Sequence, residues 1–209
     1  MEGIQMADRH NYRLVWLYFL YYWVIFGIGT YFGQYLPEEW RPTASMVLFG
    51  LLMLSLFARG FNHSGPIISH LYAFLVGLVS FGLFESFIAD FGADIFYRIV
   101  LLGIIVFVFF GFIGYFFLRD ITHWGKYLFV ALLILIFASL VNFFINLPYM
   151  TLVITIVGLV LYILFTMYDF NRMKNKKFRP REMGFNLFIN LLIIIKRLLR
   201  LYQYVNNRR

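Results

Sequence analysis

The sequence predicts an all-α polytopic membrane protein: six full transmembrane helices plus a seventh, short or central, helix in one bundle. Of 209 residues, 62% are hydrophobic and 13% charged, against about 25% charged in soluble domains, and the mean hydropathy is +0.79. Apolar runs of about 20 residues, the helical length that crosses a hydrocarbon core of about 30 Å, recur along nearly the whole chain. The basic residues that make up the net charge of +8 gather in short turns between those runs, which points to membrane topology and not to nucleic acid. Lipid offers no water to unpaired backbone groups and no alternating strand pattern is visible, so each run is helical.

The spans fall, in order, at 13–35, 43–58, 66–89, 95–118, 126–147 and 149–168, with a seventh starting near Met183. The first has a long apolar run and no small-residue cleavage site behind it, so it stays as a helix. The second closes on Arg59. The third opens behind Pro66 and the fourth lies between Asp94 and Arg119. The fifth starts at Lys126, and the sixth runs from Tyr149 to the edge of Asp169. The seventh has about 13 apolar residues before Lys196 and Arg197, roughly 20 Å of helix and short of a full span. It either crosses with Lys196, Arg197 and Arg200 against the bundle, or dips in and leaves the basic tail inside. The chain thus reads as one domain over 1–209, with a tail over 1–12, the bundle over 13–205 and a basic tail over 206–209.

Loop charge sets the orientation. The second loop carries Arg59, the fourth Arg119 and Lys126, and the sixth Arg172, Lys174, Lys176, Lys177, Arg179 and Arg181. The odd loops hold Glu38, Glu39, Asp90 and Asp94, with Arg41 and Arg98 their basic residues. The even loops and the N-terminus are therefore expected in the cytoplasm, in a multi-pass cell-membrane protein whose default setting is a bacterial plasma membrane.

Aromatic residues make up 22% of the chain, and much of the Tyr and Trp lies near segment ends, as an interfacial belt requires. There are no cysteines, which excludes thiol catalysis and disulfides. No G-x-S-x-G elbow, H-E-x-x-H pair or P-loop occurs, and His10, His63, His70 and His123 sit near membrane boundaries without metal-ligand spacing. The chain is not expected to be an enzyme or to hold a cofactor. Glycines at 27, 29, 33, 103, 111 and 114 allow helices to approach closely.

Asp169 is the leading candidate for function. A carboxylate at a helix centre in the bilayer costs about 2.5 to 3.5 kcal/mol, less near an end, and the cost falls on the charged form. Asn186 and Asn190 share one face of the seventh segment and extend a polar track or bond neighbouring helices. Glu85, Asp90 and Asp94 are candidates for an outer cation vestibule. Asn142 and Asn146 read as capping or packing residues.

Four stretches resemble the Bax inhibitor (TMBIM) family, and within it the small bacterial YetJ-type members: LFARG closing the second span, GYFFLRDITHWGKYLFVALLI bridging the fourth and fifth, LYILFTMYDFNRMK closing the sixth, and NLFINLLIIIKRLLRLY in the seventh. The resemblance implies seven helices with the last at the centre, and a pH-sensitive calcium leak. It places the first of two paired aspartates on Asp169, a latching arginine on Arg59, and the second aspartate on Asn190. Calcium is then a permeant ion met transiently by Asp169 and Asn190, whose carbonyl oxygen suits a hard cation. With an amide at 190, the like-charge neighbour that splits a carboxylate dyad is missing, so a weaker, single-proton pH response is expected. Beyond the lipid bilayer and calcium, the resemblance implies a second possibility: a non-conducting regulatory protein that binds a partner such as a membrane protease.

Overall fold

The computed structural model describes residues 2–40, 66–145, 147–176 and 178–206, and six α-helices account for most of them. They are α1 (Glu2–Gly33), α2 (Pro66–Phe91), α3 (Ala93–Phe112), α4 (Gly125–Ile145), α5 (Pro148–Lys174) and α6 (Pro180–Asn206). The span expected over 43–58 lies outside the described residues, with Arg59, His63 and Asn146. Five of the six helices, α1 to α5, are long and apolar enough to cross a membrane. The fold is that of a multi-pass helical bundle.

Three boundaries correct the sequence reading. Residues 2–12, read as a tail, are helical, because α1 already begins at Glu2. Helix α5 does not stop at Tyr168 but continues to Lys174, so Asp169 lies more than one turn inside its end. Nothing in the intervening Asp-Phe-Asn-Arg-Met-Lys breaks a helix. The turn comes at Asn175 and at Lys176, whose φ of 55° is left-handed. Helix α6 is not short: it has 27 residues, about 40 Å, because it starts at Pro180 and runs on through Lys196, Arg197 and Arg200. Proline suits a first helical position, and lysine and arginine are good helix formers, so hydropathy alone underestimates this helix.

Helix α6 sits at the centre, as the resemblance implied. It packs against α1, α3 and α5 and touches α2, while α4 rests on α5 at the periphery. Its buried side chains include Met183, Leu187, Leu191, Ile194, Ile195 and Leu199, which knit with Val15, Phe87, Phe107 and Tyr162. Helices α1 and α2 meet almost backbone to backbone. A Cβ at Gly29 would collide with the Phe74 carbonyl, whereas one at Gly27 meets nothing within 4 Å. Of the glycines expected to permit close approach, Gly27 therefore does not: it faces outward.

This contrast makes a prediction. Gly29→Ala is expected to destabilise the detergent-solubilised protein by about 1 to 3 kcal/mol through overpacking. Gly27→Ala should instead leave stability unchanged or raise it by up to about 1 kcal/mol through helix propensity. Thermal unfolding of the two variants side by side is the check, and equal effects would contradict the packing.

Candidate functional site

Asp169 and Asn190 meet. The carboxylate projects from the last part of α5 and is 3% exposed, and Asn190, near the middle of α6, is 4% exposed. Asn190 Nδ2 donates to Asp169 Oδ2 at 2.9 Å. The other carboxylate oxygen, Oδ1, lies 3.5 Å from Arg172 Nη1, one turn further along α5. The Arg172 guanidinium is held in place by the ring of Tyr168, whose centroid is 5.5 Å away. Each oxygen thus faces a different kind of donor, one neutral and buried, the other cationic and partly open.

Arg172 was legible only as one of several topology-setting cations. Its i, i+3 spacing from Asp169 is the signal that identifies it as a partner once α5 is known to continue. Arg59, the partner the resemblance named, lies outside the described residues. Asn186 is half-buried on the same helix as Asn190, one turn earlier, and takes no part in the Asp169–Asn190 bond.

Beside this pair lies a residue the sequence did not single out. Asn171 is fully buried, two positions beyond Asp169 and therefore on another face of α5. The end of α3 loosens into a π-helical turn, Ile113–Phe117, which leaves carbonyls without partners inside the helix. Asn171 Nδ2 takes them up, lying 3.1 Å from Gly114 O, 3.3 Å from Leu118 O and 2.8 Å from Arg119 O. Its Oδ1 accepts from the Ile121 N–H and from Asn175 Nδ2, both at 3.0 Å. Lys174 Nζ adds a bond to Leu118 O at 3.1 Å. Gly114 lets this happen, since a Cβ there would run into the Met167 backbone. Asp120 organises the same connection by accepting from Thr122 N and Oγ1. One side of α5 therefore holds the Asp169–Asn190 pair, and the other clasps the α3–α4 connection. Tyr12 on α1 closes this end by donating to Met173 O at 2.8 Å.

The other candidates lie apart. Glu85, Asp90 and Asp94 are exposed around the α2–α3 turn, at the opposite end of the bundle. Asp94 pairs with Arg98 at 2.9 Å, both side chains 77% exposed. His70 is half-buried against the rings of Tyr21 and Tyr22. Asn142 caps and packs: it accepts from Leu147 N and donates to Thr151 Oγ1 at 2.8 Å, tying α4 to α5. No group of three or more His, Cys, Asp or Glu side chains able to hold a metal occurs among the described residues. A cavity of about 900 Å³ between α1 and α3 is lined by apolar and aromatic side chains such as Trp16, Phe19, Trp23 and Phe107, a surface suited to hydrocarbon and not to an ion.

A long bundle around a polar last helix, a buried aspartate before a basic turn, and an Arg-Asp-Ile-Thr connection clasped to the same helix form one pattern. The family model described as Inhibitor of apoptosis-promoting Bax1 matches residues 9–207. The chain belongs to the Bax inhibitor family.

Proposed function

We propose that the protein is a pH-sensitive calcium leak of the cell membrane, with Asp169 as its proton-responsive gate. The observation that carries this reading is the buried Asp169–Asn190 bond, which joins the central helix to α5 at the end where the basic turns gather. In this reading that end faces the cytoplasm, and the setting is a bacterial plasma membrane. The bond from the Asn190 amide to the Asp169 carboxylate holds α5 and α6 together, while Arg172 meets the other carboxylate oxygen from within α5. When the carboxylate takes up a proton, the charge-assisted bond from Asn190 becomes an ordinary one and the hold weakens. A departing proton or an arriving calcium ion meets the same oxygens, with the Asn190 carbonyl as a neutral ligand for a hard cation. The amide donates without sharing a proton, so the switch counts one proton.

Calcium uptake by liposomes holding the purified protein, followed from mildly acidic to mildly basic pH, tests the proposal. The wild type is expected to leak in a pH-dependent manner. Asp169→Asn should make the flux independent of pH, and Asn190→Asp should steepen its dependence by adding a second proton. A pH-dependent leak that survives Asp169→Asn would refute the gate. Absence of flux above empty liposomes would refute the channel.

A further inference from the structure

The second half of α6 carries Lys196, Arg197 and Arg200 within about one turn. Lys196 and Arg197 are half-buried, and Arg200 is exposed. Long cationic side chains near a membrane usually stretch toward water. These two instead reach sideways to neighbouring helices. Lys196 Nζ donates to Ser80 Oγ on α2 at 3.1 Å, and the fully buried Ser80 passes its own hydrogen to Val76 O. Arg197 Nη1 donates to Ile154 O on α5 at 3.1 Å. Its guanidinium lies over Gly158, where a Cβ would stand 2.7 Å from Cζ and 2.8 Å from Nε. Glycine at 158 and serine at 80 therefore shape places for these two heads, and Arg200, three and four residues further on, shares their side of the helix.

Among the described residues no anion is paired with them. The ion pairs among the described residues are Asp94–Arg98, Asp169–Arg172 and Glu182–Arg179, and none includes these three cations. Glu85 and Asp90, the nearest acids along α2, are exposed. Lys196 lies six residues past Asn190, about 9 Å along the helix from the Asp169 pair. Lysine has three N–H donors and arginine five, and each head uses one in the bonds just described. Uncompensated charge in a bundle interior costs several kcal/mol per group, so such groups are normally paired.

We infer that Lys196, Arg197 and Arg200 form a binding site for a phosphate-class anion, carried by a lipid headgroup or free in solution, wedged between α2, α5 and α6. Phosphate supplies several acceptor oxygens for the unused donors, and the guanidinium fork of Arg197 matches two of them at once. Nothing in the gate reading requires this site, and it stands if that reading falls.

The test is thermal unfolding of the full-length protein in detergent, with added phosphatidylglycerol, phosphatidylcholine, inorganic phosphate, or sodium chloride at matched ionic strength. A rise in midpoint with phosphatidylglycerol and not with phosphatidylcholine assigns the site to a headgroup. A rise with inorganic phosphate in lipid-free detergent assigns it to the free anion. The double variant Lys196→Met, Arg197→Met removes unpaired charge and is expected to fold. It should lose about a hundredfold or more in affinity for the active phosphate source, about tenfold for each of the two charge-assisted bonds removed. Lys196→Arg should retain binding. The inference is overturned if no phosphate source shifts the midpoint, if chloride shifts it equally, or if the double variant binds as well as the wild type.

Discussion

Asn190→Asp is expected to convert a fold whose stability at this contact rests on one amide–carboxylate bond into one whose stability falls as pH rises. The wild-type contact brings Asn190 Nδ2 within 2.9 Å of Asp169 Oδ2, with both residues at least 96% buried. An aspartate at 190 would put two carboxylates in that place. At low pH they share protons, one acid donating to the other, and the contact survives. As pH rises both oxygens carry charge, and two unit charges about 4 Å apart repel by about 4 kcal/mol at an effective dielectric constant of 20. The variant must then keep a proton, admit a cation or part its helices. The measurement is the unfolding midpoint against pH in detergent for both proteins. The wild type should lie above the variant by a gap that widens with pH, and added calcium should narrow that gap by neutralising the pair. A gap constant across pH would show that the two side chains do not face each other.

Asn171→Leu should be the most damaging single change near the site that leaves its charges alone. Leucine has similar bulk and no polar atoms, so the clasp of the α3–α4 connection is lost. Of the backbone groups released, the Ile121 N–H and Gly114 C=O belong to buried residues, while those of Leu118 and Arg119 are within reach of water. At about 1 to 3 kcal/mol for each buried group left unsatisfied, the expected loss is about 2 to 6 kcal/mol. Hydrogen exchange should localise it, with the Ile121 and Leu118 amides opening first while α6 stays protected. A midpoint within 1 kcal/mol of wild type, about the worth of one ordinary hydrogen bond, would mean that the clasp is decorative.

What could be seen in advance follows the physics of each signal. Spans α2 to α4 were legible to within a few residues, since hydropathy reports directly on transfer into lipid. The ends of α5 and α6 were not, because Arg172, Lys174, Lys196 and Arg197 lower hydropathy without lowering helix propensity. Asp169 and Asn190 were expected together through the family resemblance, and the structure brings them together. Asn171 was invisible: four of its five contacts reach positions some 50 residues away and depend on a π-helical turn that no local pattern announces. Arg172 was visible and misfiled, because a cation after a membrane helix suits topology so well that its second use is hidden.

The polarity of α6 also bears on how the protein is made. A nascent segment leaving the ribosome partitions into the bilayer by its own apolar character, and each lysine or arginine near the middle opposes that by about 2.5 to 3.5 kcal/mol. Helix α6 carries Lys196, Arg197 and Arg200 beside Asn186 and Asn190, and it does not meet the criterion for length and apolar character that α1 to α5 satisfy. It also follows α1 to α5 in sequence and is central in the bundle, touching α1, α3 and α5. Its entry therefore depends on a receptacle its predecessors have already built, so insertion and tertiary folding become one event at this step. A chain that stops before residue 180 lacks Lys196 and Asn190, the residues to which Ser80 and Asp169 bond on this helix.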